Sequence, residues 1–315
     1  MAEPRRIRLS YRERDVGGEV RAAPAVSDPG GFVSARHLVL LVHGYNNDRA
    51  GAEDAYRGFH ARQRELDPDG RYGLGRVFAE LYWPGDADWG IASFLFYPQS
   101  IGRAKTTAER LAQFLDAQLG AGGARLDIVA HSMGCRLALE VLRELEVRAS
   151  PLAAARIVLM AAAVPVFMLG ECAPPRRLRP AFDRMLREGA RSLWSRGDVV
   201  LSFAFPFGQS IAPGEEGALP VALGHEAWID ASVPLHLGQA EDAGAGHGDY
   251  WGWNEKPPHL SRARFAAAQV SEYLRFAAAG SRRVASRPLL EASALEAREA
   301  AARRAPEWRE TPAYV

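Results

Sequence analysis

The run at 38–42, inside "HLVLLVHGYNN", is apolar at all five positions. A strand with one wet face alternates polar and apolar residues, so an unbroken run of this length implies cover on both faces. "ARIVLMAAAV" has the same character, as does the apolar run that opens "LDIVAHSMGCRLALEVL". Strands of this kind belong in a mostly parallel sheet sandwiched between helices. "RVFAELYWPG" reads as a further strand, stopped by Pro84 and Gly85, and "RSLWSRGD" and "EAWIDAS" as shorter ones. "RIRLSYRER" alternates instead, with Ile7, Leu9 and Tyr11 on one face, and the "VGGEV" after it allows a turn.

Helical spacing separates these runs. Ala52, Ala55, Tyr56, Phe59 and Leu66 share one side of a helix, and Ala138, Val141, Leu142 and Leu145 share one side of another. Thr106 and Glu109 have capping-box spacing ahead of Ala108, Leu111, Leu115 and Leu119. A last helix is expected around 261–278. The alternation predicts an α/β fold, with a mostly parallel central sheet and helices on both faces. Residues 1–280 read as one domain. Three segments rich in Pro, Gly and aromatics interrupt it near 86–103, 165–182 and 203–224, each after a strand end, where ligands bind in open α/β sheets. The charged, alanine-rich tail at 281–315 is assigned no chemistry.

Composition narrows the function. The 315 residues are 48% hydrophobic with a net charge of +1, which gives no electrostatic case for nucleic acid or an anionic membrane. Two cysteines, Cys135 and Cys172, make no framework of disulfides and no CxxC pair, and both are read as reduced. "MAEPRRIRLSYRER" lacks the apolar core of a signal peptide, and no apolar run reaches membrane-spanning length. The expectation is a cytoplasmic protein without stable membrane insertion. Nothing in the sequence sets its oligomeric state.

At the centre of "AHSMG", Ser132 stands between a predicted strand and helix, with Ala130 and Gly134 two positions either side. This is G-x-S-x-G spacing with alanine in the first place. Such an elbow strains the backbone and brings helix close to strand, so only small residues fit at those two positions. The corner would project Ser132 Oγ from the sheet rim and turn the Met133 N–H, at the helix start, towards a developing oxyanion. The alternative is a serine serving only as a helix N-cap.

"LLVHGYNN" upstream, combined with "AHSMG" in this order, resembles the α/β-hydrolase superfamily, and most of all bacterial esterase-like members that carry VHGYN and AHSMG. The resemblance runs from about residue 37 to 278. It implies that the residue after His-Gly, Tyr45, supplies the second oxyanion N–H, and that His43 and His131 are architectural. It also implies an acid and then a histidine after the serine. Asp198, ending "SLWSRGD", occupies a loop like that which carries the acid; Asp183 and Asp230 are weaker rivals. His247, in "AGAGHGDYWGW", occupies the position of the base. His225 is expected at the opposite end of the sheet, and His236 lies in a more apolar context.

Ser132 as nucleophile, His247 as base and Asp198 as orienting acid would make a metal-independent serine hydrolase acting on carboxylic esters. HExxH, clustered His/Asp, calcium-loop, Walker and dinucleotide patterns are missing from the sequence, so no cofactor or metal is expected. An acyltransferase or amidase would use the same triad, and a binding or scaffold protein could keep the fold without turnover. Phe94, Phe96, Tyr97, Phe167, Met168, Phe203, Phe205 and Phe207 could line an acyl pocket or simply pack long loops. With no lipid-surface helix evident, a small or medium ester is the expected substrate.

Overall fold

The computed structural model describes residues 3–67, 70–86, 97–170, 178–212, 219–225, 237–241 and 244–276. Its strands are β1 (Arg5–Arg12), β2 (Val20–Val26), β3 (His37–Val42), β4 (Val77–Tyr82), β5 (Arg125–His131), β6 (Ala154–Met160), β7 (Ala190–Trp194) and β8 (Leu237–Glu241). They form one sheet in the order β2-β1-β4-β3-β5-β6-β7-β8. Only the β1–β2 pair is antiparallel. The connecting helices are α1 (Pro29–Val33), α2 (Arg49–Leu66), α3 (Tyr97–Leu119), α4 (Met133–Val147), α5 (Arg179–Met185), α6 (Phe205–Ser210) and α7 (His259–Leu274). α4 packs against α3 and α5, while α2 packs against α7, so the sheet has helices on both faces. This is the α/β fold that the apolar runs demand.

The apolar runs are where burial is complete. Leu38, Val39, Leu40, Leu41 and Val42 are wholly buried, as are Ile128, Val129, Ala130, Ile157, Val158 and Leu159. On β1, Ile7, Leu9 and Tyr11 face the core. The inward stripe of α4, Ala138, Val141, Leu142 and Leu145, is also wholly buried.

Several elements differ from the sequence reading, among them α3, β2 and β8. α3 begins at Tyr97, not at Thr106, so the insertion near 86–103 becomes helical in its second half. Pro98 stands at the second helical position, where its missing N–H would be unpaired anyway. Thr107 Oγ1 donates to the Arg103 carbonyl, 2.8 Å away, in mid-helix. β2 carries Pro24 and escapes a pattern search, but as the sheet edge it tolerates a residue that cannot donate to a ladder. β8 lies at the other edge and pairs its backbone with β7. The expected strand "EAWIDAS" and the tail at 281–315 lie outside the described residues. Among the described residues, no helix is long and apolar enough to cross a membrane. Cys135 is buried and free, its Sγ 3.6 Å from the Met160 carbonyl; Cys172 is outside the described residues.

Candidate active site

β3 and β5 are neighbours, with Val42 opposite Ala130, so the loops leaving their C-terminal ends meet above the sheet. Chain order reverses here: β4 lies on one side of β3 and β5 on the other, and the gap between such loops is where a ligand fits. Ser132 follows β5 immediately and has φ +54° and ψ −126°. A non-glycine residue there is strained, and the surroundings must hold it. They do so with backbone bonds: Ser132 N–H donates to Met160 O, and its own carbonyl accepts from Cys135 and Ala163 N–H. Ser132 occupies the N-cap position of α4, yet its side chain makes no capping hydrogen bond. The plain N-cap alternative is thereby excluded.

The hydroxyl instead lies 2.7 Å from His247 Nε2. On the far side of that ring, Nδ1 is 2.8 Å from Asp198 Oδ2. Asp198 is fully buried, and its Oδ1 accepts from the Leu201 N–H at 3.0 Å. The carboxylate fixes the tautomer: Nδ1–H donates to Asp198, which leaves Nε2 to accept from the hydroxyl. Asp198 follows β7 and His247 follows β8, so the three side chains converge from three strand ends. Ser195 ties two of these loops together, its Oγ donating to Ala245 O and accepting from the Gly197 N–H.

Tyr45 and Met133 also border the serine. Met133 is the first residue of α4, where a backbone N–H has no acceptor within the helix. Gly44 approaches so closely that a Cβ there would lie 2.8 Å from Ser132 Cβ.

The two remaining histidines of the motifs, His43 and His131, are buried. His43 Nδ1–H donates to Gly44 O, its Nε2 accepts from the Trp83 N–H, and its ring stacks on Trp83 at 5.6 Å. His131 Nε2–H donates to the carbonyl of His247 at 2.7 Å. Burial pushes both imidazoles down to a pKa of about 3, helped by the Arg12 charge near His43 and by the neighbouring His247 ring at His131.

Of the rivals, Asp183 pairs with Arg179 on α5. Asp230 and His236 lie outside the described residues. His225 is at the same rim as Ser132, not the opposite end, because Gly224 bonds to Ala162 and Ser195 at the ends of β6 and β7. It contacts Ser202 and leaves Ser132 to His247.

A cavity of about 390 Å³ opens on Ser132 and His247. Tyr45, Tyr97, Phe205 and Trp251 supply aromatic walls, and Val200 and Leu201 add aliphatic ones. No lysine, arginine, aspartate or glutamate is among the described residues that line it. Of the aromatic residues expected there, Tyr97 and Phe205 take part. Phe203 and Phe207 are 75% and 54% exposed, Phe167 and Met168 pack against the core, and Phe94 and Phe96 are outside the described residues. Trp251 and Trp253 were missed, although "HGDYWGW" places both just after His247. A second cavity, about 410 Å³, lies between β1, β2 and the start of α2, and none of Ser132, Asp198 and His247 lines it.

Residues 32–167 match the family model described as an alpha/beta hydrolase of unknown function, DUF900. No curated protein matches the chain. Among solved structures, it is similar to an esterase of Rhizomucor miehei at 15% identity and a TM-score of 0.37, covering 79% of this chain and 77% of that one. It is also similar to RedJ, a thioesterase of prodiginine biosynthesis in Streptomyces coelicolor, at 16% identity and a TM-score of 0.39, covering 78% and 87%.

Proposed function

We propose that this chain, which has the fold of the α/β-hydrolase superfamily, is a serine hydrolase that cleaves neutral carboxylic esters through an acyl-enzyme. The observation that carries the reading is the unbroken relay from buried Asp198 through His247 to the hydroxyl of Ser132. That hydroxyl is uninvolved in capping and faces an apolar cavity without charged walls among the described residues. A serine hydroxyl is a poor nucleophile until a base takes its proton, and His247 Nε2 is within reach to do so.

In this reading, Ser132 Oγ attacks the ester carbonyl as its proton passes to His247 Nε2. The oxyanion of the tetrahedral intermediate accepts from the N–H groups of Met133 and Tyr45, and the start of α4 adds its dipole. Asp198 holds the ring and stabilises its cationic form without taking the proton. Collapse breaks the bond to the alcohol, which leaves with the proton from Nε2. Water, deprotonated by the same nitrogen, then attacks the acyl-enzyme; carboxylic acid is released and Ser132 regains its proton. Among the described residues the cavity walls are neutral and largely apolar, which suits a small or medium acyl or aryl group, since a charged one would lose hydration against them without a counter-ion there.

Treatment with a fluorophosphonate probe and assay on a short-chain aryl ester test the proposal. Wild-type protein is expected to be labelled and active. Ser132→Ala should fold, resist labelling and lose roughly 10⁶-fold in kcat. Hydrolysis that survives in the alanine variant would remove Ser132 as the nucleophile. An unlabelled, inactive wild type would favour a binding protein on the same fold.

A further inference from the structure

The His247 turn is closed by a second residue that takes no part in the relay. Asp249 N–H donates to Gly246 O at 3.1 Å, and Asp249 Oδ2 accepts from the Gly246 N–H at 2.7 Å. Two bonds therefore join residues 246 and 249, and His247 and Gly248 are enclosed between them. The same carboxylate is anchored to the first turn of α7. Its Oδ2 also accepts from Arg262 Nη1 at 2.8 Å, and its Oδ1 from His259 Nδ1 at 2.5 Å. The Asp249 and Arg262 side chains are 7% and 2% exposed. From the opposite side, His131 grips the His247 carbonyl.

A buried ion pair is a weak source of net stability, because desolvation offsets most of the attraction. What the Asp249–Arg262 pair does secure is a place. The His247 ring meets both Ser132 and Asp198 only while its backbone is held here, on a loop whose glycines otherwise leave many conformations open. We infer that Asp249 is a positioning residue, which fixes the His247 turn through Gly246 and pins it to α7. The inference rests on the reading of His247 as the base.

Asparagine at 249 separates geometry from charge. Its amide oxygen can accept from Gly246 and Arg262, while its NH2 faces His259, whose other tautomer accepts. Alanine makes none of these bonds. Both changes remove the negative charge beside buried Arg262, so both are expected to lower Tm. Activity should divide them: Asp249→Asn keeps most of kcat, whereas Asp249→Ala loses about 100-fold, the scale of a small misplacement of a reacting group. KM should change little. The proton shared by His247 Nδ1 and Asp198 gives an NMR resonance that reports the relay without turnover; it should persist in Asp249→Asn and vanish in Asp249→Ala. If alanine keeps both the resonance and kcat, or if the two variants lose activity in step with Tm, Asp249 is structural only. Should Asp249→Ala not fold, the same comparison is made in an Arg262→Met background, which has no buried unpaired cation. Turnover that survives Ser132→Ala would overturn the proposed function, yet the resonance would still decide the role of Asp249.

Discussion

The carbonyl oxygen of His43 lies 2.3 Å from where a Cβ on Gly134 would stand, with the Val42 carbonyl 2.8 Å from the same point. The first turn of α4 thus rests on the backbone at the end of β3, and only glycine allows that contact. The two proposed oxyanion donors, on opposite sides of it, owe their spacing to this approach. Gly134→Ala must push backbone against backbone, and the expected cost is on the order of 1–3 kcal/mol in stability. Loss of kcat should exceed what unfolding explains. A denaturant titration and a kcat measurement check both, and unchanged values would mean that the contact is slack.

Ala130, on the strand before the serine, is wholly buried between Val42 and Leu159 on the neighbouring strands. Ala130→Val should overpack the crossing of β5 and α4, costing about 1–3 kcal/mol. Activity should fall further than stability, because Ser132 and Met133 must keep their places relative to the carbonyl under attack. Ala130→Gly should be tolerated with a small loss from backbone entropy. If valine equals alanine in both stability and rate, the corner is not tight.

The base and acid are expected to act as one unit with the nucleophile. His247→Ala should approach Ser132→Ala in severity, and Asp198→Asn should be milder, since it removes an orienting group. The double variant Ser132→Ala/His247→Ala should be little worse than either single one. Additive losses in the cycle would show that the two side chains work independently.

The buried imidazoles set an acid limit on stability. His43 and His131 are held near a pKa of about 3, against 6.5 for a solvent-exposed ring in an unfolded chain. Below pH 6.5 the unfolded state therefore binds protons that the folded state refuses. The stability they support is complete above that pH and is lost as pH falls towards 3. Each histidine contributes a slope of up to about 1.4 kcal/mol per pH unit. Tm should be level from pH 8 to 7 and fall from 6.5 to 5. A level Tm across that second range would show that both rings protonate without cost.

The sheet and the serine were legible because their causes are local. A strand covered on both faces has no room for polar residues, so the runs ending at Val42 and Met160 declare themselves. The elbow likewise needs small residues at fixed offsets from Ser132. The edges were harder to read: β2 contains a proline, and β8, "LGQAE", is held by main-chain pairing with β7 that leaves little mark on side-chain pattern. Asp198 and His247 came into view through resemblance, because the distance between them is closed by tertiary folding and not by spacing. The clasp of Asp249 on Gly246 was open to a local reading, as an aspartate bonded to the backbone three residues before it, but its tie to Arg262 depends on where α7 packs.

The hydroxyl and the base are 115 residues apart in the chain, and the acid lies between them, 49 residues before the base. The strand just ahead of His247 is the last to join the sheet in sequence order and lies at its rim. A chain with its first seven strands in register has its strained serine corner and no partner for it. Under the proposed function, reactivity towards an ester would then require the docking of the eighth strand and the turn behind it. A chain in which this strand and turn are undocked would, in that reading, hold a strained hydroxyl with no base beside it.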